Sequence, residues 1–188
     1  MVHGRGHETM LTLETERMVL RELDRQRDLD FLASLLAHPQ VMAHWPAPLS
    51  RDEAAAWIDR QLDRYERDGC GYWMVELKAT GEPIGQAGIM FIELAGKREA
   101  GLGYMIHADH WGHGYATEAA RACVEWAFAN LHVPRVVAPV RPGNAASIRV
   151  AQKIGMRPAT QTMFAGFEHV IYAVETRLVQ AGAQVQVS

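Results

Sequence analysis

The chain of 188 residues has only two cysteines, Cys70 and Cys123, and no long apolar run. Two cysteines are too few for a disulfide framework and fit a reducing compartment, so we expect a cytoplasmic protein. No stretch approaches the roughly 18 consecutive apolar residues of a membrane span. The first residues also lack the apolar segment of a signal peptide. We therefore expect no membrane partner.

An excess of charge of one sign is also missing. The chain has 19 Lys and Arg against 22 Asp and Glu, a formal net charge of -3, and only three of the basic residues are lysines. Because nucleic-acid-binding domains usually present a clustered basic face, we expect no direct nucleic-acid partner. The 48% of hydrophobic residues suffices for one packed core. We expect a single domain, with loose ends at residues 1–10 and 179–188.

Hydrophobic periodicity and turn residues predict a mixed α/β fold. Strands are predicted over residues 17–23, 72–77, 84–94, 99–106, 135–140, 159–164 and 169–178. Helices are predicted over residues 28–37, 51–68, 115–130 and 145–154. Ser50 and Glu53 form a capping-box pattern at the start of the second helix. Pro139 cannot donate to a strand ladder, so we expect it where pairing with a neighbouring strand has lapsed.

The end of strand 99–106 leads through a loop with Gly112 and Gly114 into helix 115–130. Glycines let a ligand approach the backbone, and the unpaired amides at a helix N-terminus attract anions. The pattern fits a phosphate-bearing ligand, although a tight turn would also explain the glycines. A P-loop sequence is missing, and so are the third glycine and the later acidic residue of a dinucleotide site. NAD is therefore a weak interpretation.

Two segments resemble the GNAT N-acetyltransferases. Residues 111–119 read Trp-Gly-His-Gly-Tyr-Ala-Thr-Glu-Ala and resemble the R/Q-x-x-G-x-G/A loop, in the WGKGYATEA form of the RimJ/RimL-like branch that acetylates ribosomal-protein N-termini. Residues 144–156 resemble that branch's N-x-x-S-x-R-x-x-x-K-x-G-F. The resemblance covers about residues 11–178, as one domain. It implies a GNAT-like α/β fold with a mostly antiparallel sheet of about seven strands, about four helices, and fourth and fifth strands that splay apart.

The resemblance implies acetyl-CoA as the cofactor. Backbone amides of the loop would hold the pyrophosphate, and the end of the fourth strand would pair with the pantetheine arm. The residues expected to bind the cofactor are Met105, Ile106, His107, Trp111, Gly112, His113, Gly114, Tyr115, Ala116, Thr117, Asn144 and Arg149.

Catalysis needs a neutral amine, a donor for the developing oxyanion and a proton for the leaving thiolate. A backbone N–H near residues 105–107 would supply the donor. Many GNAT proteins protonate the thiolate with a Tyr, but Ala151 occupies that position here, so the resemblance points to Ser147. Ser147 could equally be an ordinary helix-surface serine. Glu99 is the candidate general base, with a solvated strand-end carboxylate as the alternative.

Other residues have less specific patterns. The acceptor is expected to be a protein N-terminal amine or a small-molecule amine, recognised by His44, Trp45 and Tyr104. Reserve candidates for the base lie on the last strand and its approach: Glu168, His169 and Glu175. The spacing of His107, His110 and His113 invites a metal interpretation, but a metal is not expected. A non-catalytic acyl-CoA-binding module is the alternative to an enzyme, and a homodimer is left open.

Overall fold

A computed structural model describes residues 12–176, and the loose ends predicted at residues 1–10 and 179–188 lie outside them. The strands are β1 (Thr12–Glu14), β2 (Met18–Arg21), β3 (Tyr72–Leu77), β4 (Pro83–Leu94), β5 (Lys97–Ile106), β6 (Arg135–Val140), β7 (Arg157–Phe164) and β8 (Phe167–Glu175). The helices are α1 (Arg25–Ala37), α2 (Arg51–Asp68), α3 (Tyr115–Asn130) and α4 (Ala145–Lys153), with a short 3-10 turn at Ala108–His110.

All eight strands belong to one sheet, in the order β1-β2-β3-β4-β5-β6-β8-β7. Every neighbouring pair is antiparallel except β5 and β6, which are parallel. The predicted α/β class, the four helices and the mostly antiparallel sheet are confirmed. The strand that sequence analysis missed is β1, whose three residues are too few to show an alternating pattern.

The two parallel strands separate after a short contact. Ala100 pairs with Val136 and Gly101 with Val137, and the pairing ends there. The fourth and fifth strands of the sequence prediction are β5 and β6, and their expected separation is confirmed. It leaves a gap between the C-terminal halves of β5 and β6. Pro139 lies two residues past the last paired residue of β6, so its missing N–H costs no hydrogen bond to β5.

The helices cover both faces of the sheet. Successive residues of a strand point to opposite faces, and β3 shows this directly. Trp73 and Val75 pack in the core with α3, whereas Tyr72 and Met74 pack in the core with α1 and α2. Side chains on both faces are fully buried, so the sheet is held rigidly. None of the helices within residues 12–176 is both long and apolar enough to cross a membrane.

Local signals set the helix ends. The predicted capping box is present at α2, where Glu53 N–H donates to Ser50 Oγ and Ser50 N–H donates to Glu53 Oε2. Helix α1 begins at Arg25, three residues before the predicted start, because Asp24 caps it by accepting from Arg27 N–H at 2.7 Å. Both helices thus begin where a side chain replaces a missing backbone acceptor.

A buried ion cluster joins β2, α1 and β3. The guanidinium of Arg21 donates to both carboxylate oxygens of Asp28, at 2.8 and 2.7 Å, and to Glu76 at 2.7 Å. Arg27 also donates to Glu76, at 2.6 Å. Arg21 and Asp28 are 6% and 2% exposed, so each charge depends on its partners in place of water.

Candidate functional site

Two cavities meet at the gap between β5 and β6. Both are lined by His44, Trp45, Tyr104, Asn144 and Ser147. The first, of about 660 Å³, extends to the glycine loop and α4, and we call it the loop cavity. The second, of about 410 Å³, extends to the turn between β7 and β8, and we call it the hairpin cavity. The five shared residues therefore lie where a ligand in one cavity would contact a ligand in the other.

The glycine loop presents free backbone amides to the loop cavity. Gly112 and Gly114 have φ angles of +82° and +83°, a backbone conformation that other residues rarely adopt. Gly114 is the N-cap of α3, and the first helical hydrogen bond joins Glu118 N–H to the Gly114 carbonyl. The amides of residues 115–117 consequently have no acceptor within the helix. They can donate to an anion, which the helix dipole also favours.

Arg17 and Glu118 hold this loop against the turn between β1 and β2. The Glu118 carboxylate accepts from Thr15 Oγ1 at 2.6 Å and from Arg17 N–H and Nε at 2.9 and 2.7 Å. Burial raises the pKa of Glu118, but these hydrogen bonds and the Arg17 charge outweigh it, so its pKa lies below the usual range. Arg17 also donates to the His113 carbonyl at 2.9 Å. Sequence analysis missed Arg17, because 101 residues separate it from Glu118.

The lining of the loop cavity suits a polyanion. Arg149 and Lys153 of α4 and His110 of the 3-10 turn line it. Within residues 12–176, none of its lining residues is an Asp or Glu. Free amides at one end, cationic side chains beside them and no carboxylate are the donor set that a pyrophosphate and a further phosphate would require. The residues present therefore fit coenzyme A.

Ten of the twelve residues expected to bind the cofactor line the loop cavity: Met105, Ile106, Trp111, Gly112, Gly114, Tyr115, Ala116, Thr117, Asn144 and Arg149. His107 and His113 do not line it. The His107 amide donates to the Ile84 carbonyl at 2.8 Å, so it completes the ladder with β4. His113 stacks on Tyr115 with ring centroids 5.7 Å apart.

Only one of the three amides near the end of β5 faces the gap. Because His107 N–H points to β4, strand alternation turns the carbonyl and the N–H of Ile106 the other way. The Ile106 carbonyl accepts from Trp111 Nε1 at 2.7 Å on that side, which agrees with this direction. Met105 N–H points to β4 like that of His107. The backbone donor expected near residues 105–107 is therefore the amide of Ile106.

Tyr104 and Ser147 contact each other where the two cavities meet. Tyr104 Oη lies 2.9 Å from Ser147 Oγ, and it donates to the Ser147 carbonyl at 3.1 Å. Burial raises the pKa of Tyr104 to about 12, although the hydrogen bond from Ser147 opposes this. Ala151, where many GNAT proteins have a Tyr, is fully buried in the core. A tyrosine hydroxyl thus reaches α4 from β5, and sequence analysis did not connect it with Ser147.

Glu99, the candidate general base, is not among the residues that line either cavity. It lies next to Ala100, at the end of the gap where β5 and β6 are still paired. There its carboxylate forms an ion pair with Arg135, whose Nε donates to it at 3.1 Å. The hydrogen bond from Arg135 holds the pKa of Glu99 below its usual range. Glu99 is engaged by this cation, and the structure does not bring it together with Ser147.

His169 is the reserve base candidate that lines a cavity, whereas Glu168 and Glu175 line neither. The side chain lies in the hairpin cavity and is 9% exposed. Its Nδ1 is 2.9 Å from the Phe167 carbonyl, which can only accept a hydrogen bond. Nδ1 therefore carries a hydrogen in this contact, and in the neutral ring the lone pair is on Nε2.

The three residues expected to recognise the acceptor, His44, Trp45 and Tyr104, all line both cavities. Trp45 is 39% exposed and packs edge-on against Trp57, with ring centroids 5.7 Å apart. As for metal ligands, no group of three His, Cys, Asp or Glu within residues 12–176 is arranged to hold an ion.

Comparison with known proteins agrees with this geometry. The acetyltransferase (GNAT) domain family matches residues 17–157. YkkB of Bacillus subtilis (strain 168) is 35% identical over 144 residues, which cover 77% of this chain and 84% of YkkB. The crystal structure of an acetyltransferase from Agrobacterium tumefaciens strain C58 is 31% identical and has a TM-score of 0.78, covering 93% of this chain and 100% of that one.

A more distant structure shows the same fold. RimL, a ribosomal L7/L12 alpha-N-protein acetyltransferase solved in complex with coenzyme A, is 18% identical and has a TM-score of 0.73, covering 88% of this chain and 98% of RimL. The family match spans most of the chain and includes the glycine loop and α4. The chain therefore belongs to the GNAT family and is an acetyl-CoA-dependent N-acetyltransferase.

Proposed function

We propose that this enzyme moves the acetyl group of acetyl-CoA directly to a primary amine, with both substrates bound at once. The observation that carries the proposal is the meeting of the two cavities at Tyr104 and Ser147. Acetyl-CoA would occupy the loop cavity and supply the activated thioester, and the amine would enter through the hairpin cavity. The C–N bond forms as the C–S bond breaks, the amine loses one proton, and the thiolate gains one.

In this proposal the loop cavity holds the cofactor by its phosphates. The amides of residues 112–117 donate to the pyrophosphate, and Arg149 and Lys153 lie close enough to the same cavity to pair with a phosphate. The part of β5 that has separated from β6 forms backbone hydrogen bonds with the pantetheine arm. The Ile106 amide donates to the oxygen of the reacting carbonyl. Removing one such donor typically costs about 2.7–4 kcal/mol in kcat.

Ser147 and Tyr104 act together as the proton donor to the thiolate. Tyr104 Oη lies 2.9 Å from Ser147 Oγ, so its hydroxyl hydrogen can turn from the Ser147 carbonyl to Ser147 Oγ and replace a proton that Ser147 has given to the thiolate. A phenol is a stronger acid than an aliphatic alcohol, so the pair is better suited to this step than Ser147 alone. Tyr104 and Ser147 thus protonate the thiolate in place of the Tyr that many GNAT proteins have at the position of Ala151.

His169 is the proposed base. Its free Nε2 can take the proton that the amine loses, directly or through one water. The hydrogen bond from Nδ1–H to the Phe167 carbonyl keeps the ring in the tautomer that this step needs. Glu99 lines neither cavity and is ion-paired with Arg135, which favours His169 over Glu99 for this role.

The acceptor class in this proposal is a protein N-terminal amine or a small-molecule amine. The likeness to RimL, at 18% identity, shows the fold and does not select between these two classes. The charge and the aromatic lining of the hairpin cavity favour the second. A cytoplasmic location and a homodimer stay predictions.

Thiol release from acetyl-CoA over a panel of amines and peptides tests the proposal. We expect turnover with at least one amine, together with micromolar binding of coenzyme A by calorimetry. Ser147→Ala should lower kcat by about 10²-fold and leave the dissociation constant of acetyl-CoA unchanged. Ser34→Ala, at an exposed serine of α1 that lines neither cavity, is the matched control and should leave kcat unchanged. Binding without turnover on any acceptor would refute the proposed activity, and an unchanged kcat in Ser147→Ala would refute the role of Ser147.

A further inference from the structure

We infer that the acceptor is a small amine that also carries a carboxylate, of the kind found in an α-amino acid with an aromatic or large aliphatic side chain. The inference rests on the proposed function and narrows its acceptor. It comes from the charge and shape of the hairpin cavity, which family membership does not determine.

The hairpin cavity holds cationic side chains and no acidic ones. Arg64 and Arg141 line it. Within residues 12–176, no Asp or Glu is among its lining residues. A polycationic acceptor such as a polyamine or an aminoglycoside would bring several charges here without a partner, which is unfavourable in a partly enclosed site. An acceptor with a carboxylate would instead be attracted.

Arg141 is the side chain best suited to bind that carboxylate. Its guanidinium lies 4.1 Å from the centre of the Phe167 ring, which positions it by a cation–π contact. No carboxylate among residues 12–176 forms an ion pair with it. Arg64, by contrast, already donates to Gln61 Oε1 at 3.0 Å. A guanidinium held by a ring face, with its N–H groups free, matches the bidentate geometry of a carboxylate.

Three aromatic side chains also line the hairpin cavity. Trp45, Trp57 and Tyr72 contact one another in sequence, with centroid distances of 5.7 and 5.3 Å. Gly103 of β5 makes room for the Tyr72 side chain, because a Cβ on Gly103 would lie 1.9 Å from the Tyr72 hydroxyl. A flat or bulky apolar side chain can pack on these rings, so the second recognition element is apolar.

The same charges help the reaction. The amine attacks only as the free base, and nearby cations disfavour its ammonium form, so the acceptor's amine pKa falls on binding. The attraction between the carboxylate and Arg141 offsets part of the unfavourable free energy of bringing the amine into a cationic site. A peptide N-terminus has an amide where the free amino acid has the carboxylate, and it loses this pairing.

Matched acceptors test the inference. We would measure kcat/KM for L-phenylalanine, L-phenylalanine amide, 2-phenylethylamine, spermidine, tobramycin and a short peptide with N-terminal phenylalanine. L-Phenylalanine should exceed its amide and the decarboxylated amine by about tenfold or more, which corresponds to about 1.4 kcal/mol. Arg141→Gln should remove that preference by raising KM for L-phenylalanine, with little change for 2-phenylethylamine. Arg51→Gln, at an exposed ion pair on α2, is the matched control and should keep the preference.

The outcomes separate the two claims. Turnover that favours spermidine, tobramycin, the peptide or 2-phenylethylamine would overturn the carboxylate inference and leave the acetyl transfer standing. A carboxylate preference that persists in Arg141→Gln would overturn the assignment of the carboxylate to Arg141. If none of these amines releases thiol although acetyl-CoA binds, the proposed function itself fails for such acceptors, and the inference fails with it.

Discussion

At the scale of single residues, the contact between Tyr104 and Ser147 decides how the thiolate can be protonated. The two hydroxyls are 2.9 Å apart, on different elements. If they act as one unit, removing either should cost about as much as removing both. We expect Tyr104→Phe and Ser147→Ala each to lower kcat by about 10²-fold, and the double variant to lower it no further. Steady-state kinetics with saturating acetyl-CoA checks this, and effects that multiply would show that the two residues act separately.

Residue-scale function was only partly predictable. The loop residues could be recognised because they follow one another in the sequence, and ten of the twelve expected ones line one cavity. Tyr104 and Ser147 are 43 residues apart, so their contact depends on how β5 meets α4. Glu99 was chosen by strand alternation, which gives the face of a side chain but not its position along the gap. Its position beside Arg135 follows from the register of β5 against β6.

At the scale of elements, the left-handed glycines of the loop make the anion site. Gly114→Ala should destabilise the protein by about 1–2 kcal/mol, because φ at this position is +83°. A Cβ there would meet only ordinary contacts, so we expect no further loss from steric overlap. The substitution should also raise the dissociation constant of coenzyme A about tenfold, because relief of the strain displaces the amides of residues 115–117. Gly96→Ala is the control, since Gly96 has φ +75° in the β4–β5 turn. It should lose stability alone, and an equal loss of coenzyme A affinity in both variants would contradict the role of Gly114.

The buried ion cluster is the second element-scale feature, since it joins β2, α1 and β3. Asp28→Ala leaves the Arg21 guanidinium buried with one fewer partner, which should cost about 3–5 kcal/mol. Asp59→Ala, whose partner Arg25 is exposed, should cost about 0–1 kcal/mol. Urea denaturation monitored by circular dichroism would compare the two. Similar losses would mean that Arg21 is compensated by other groups or by water. No sequence pattern indicated this cluster, because Glu76 lies 55 residues from Arg21.

At the scale of the whole molecule, the order of helices and strands was predictable because hydrophobic periodicity is a local property of the sequence. The separation of β5 and β6 was predictable because the glycine loop resembles that of the GNAT proteins. The hairpin cavity was not predictable. Its walls come from the loop between α1 and α2, from α2 and α4, from β3, β4, β5 and β6, and from the β7–β8 hairpin, so its charge depends on which side chains the fold brings together. A net charge of -3 gave no hint of a cavity lined by arginines, because the acidic residues lie elsewhere.

Those acidic residues determine how stability depends on pH. The pKa values of Glu53, Asp68, Glu99 and Glu118 are all lowered in the folded state, by hydrogen bonds and by neighbouring arginines. A carboxyl with a lowered folded pKa stabilises the fold above its unfolded pKa, near pH 4, and this stabilisation is lost as the pH falls through the folded pKa. We therefore expect the free energy of unfolding to decrease below about pH 4.5.

The Glu99–Arg135 ion pair isolates one such contribution. Glu99→Gln removes the titrating group, so the variant should be less stable than the parent protein at pH 7. As the pH falls to about 3, Glu99 of the parent becomes protonated, and the difference in the free energy of unfolding should shrink. Urea denaturation at pH 7, 5, 4 and 3 measures both proteins, with Glu168→Gln as the control, because Glu168 is exposed and forms no ion pair with another residue of the range 12–176. If the difference in the free energy of unfolding stays constant across this range, Glu99 has the same pKa in the folded and the unfolded protein. If the difference narrows for Glu99→Gln but not for the control, that part of the acid sensitivity comes from the Glu99–Arg135 ion pair.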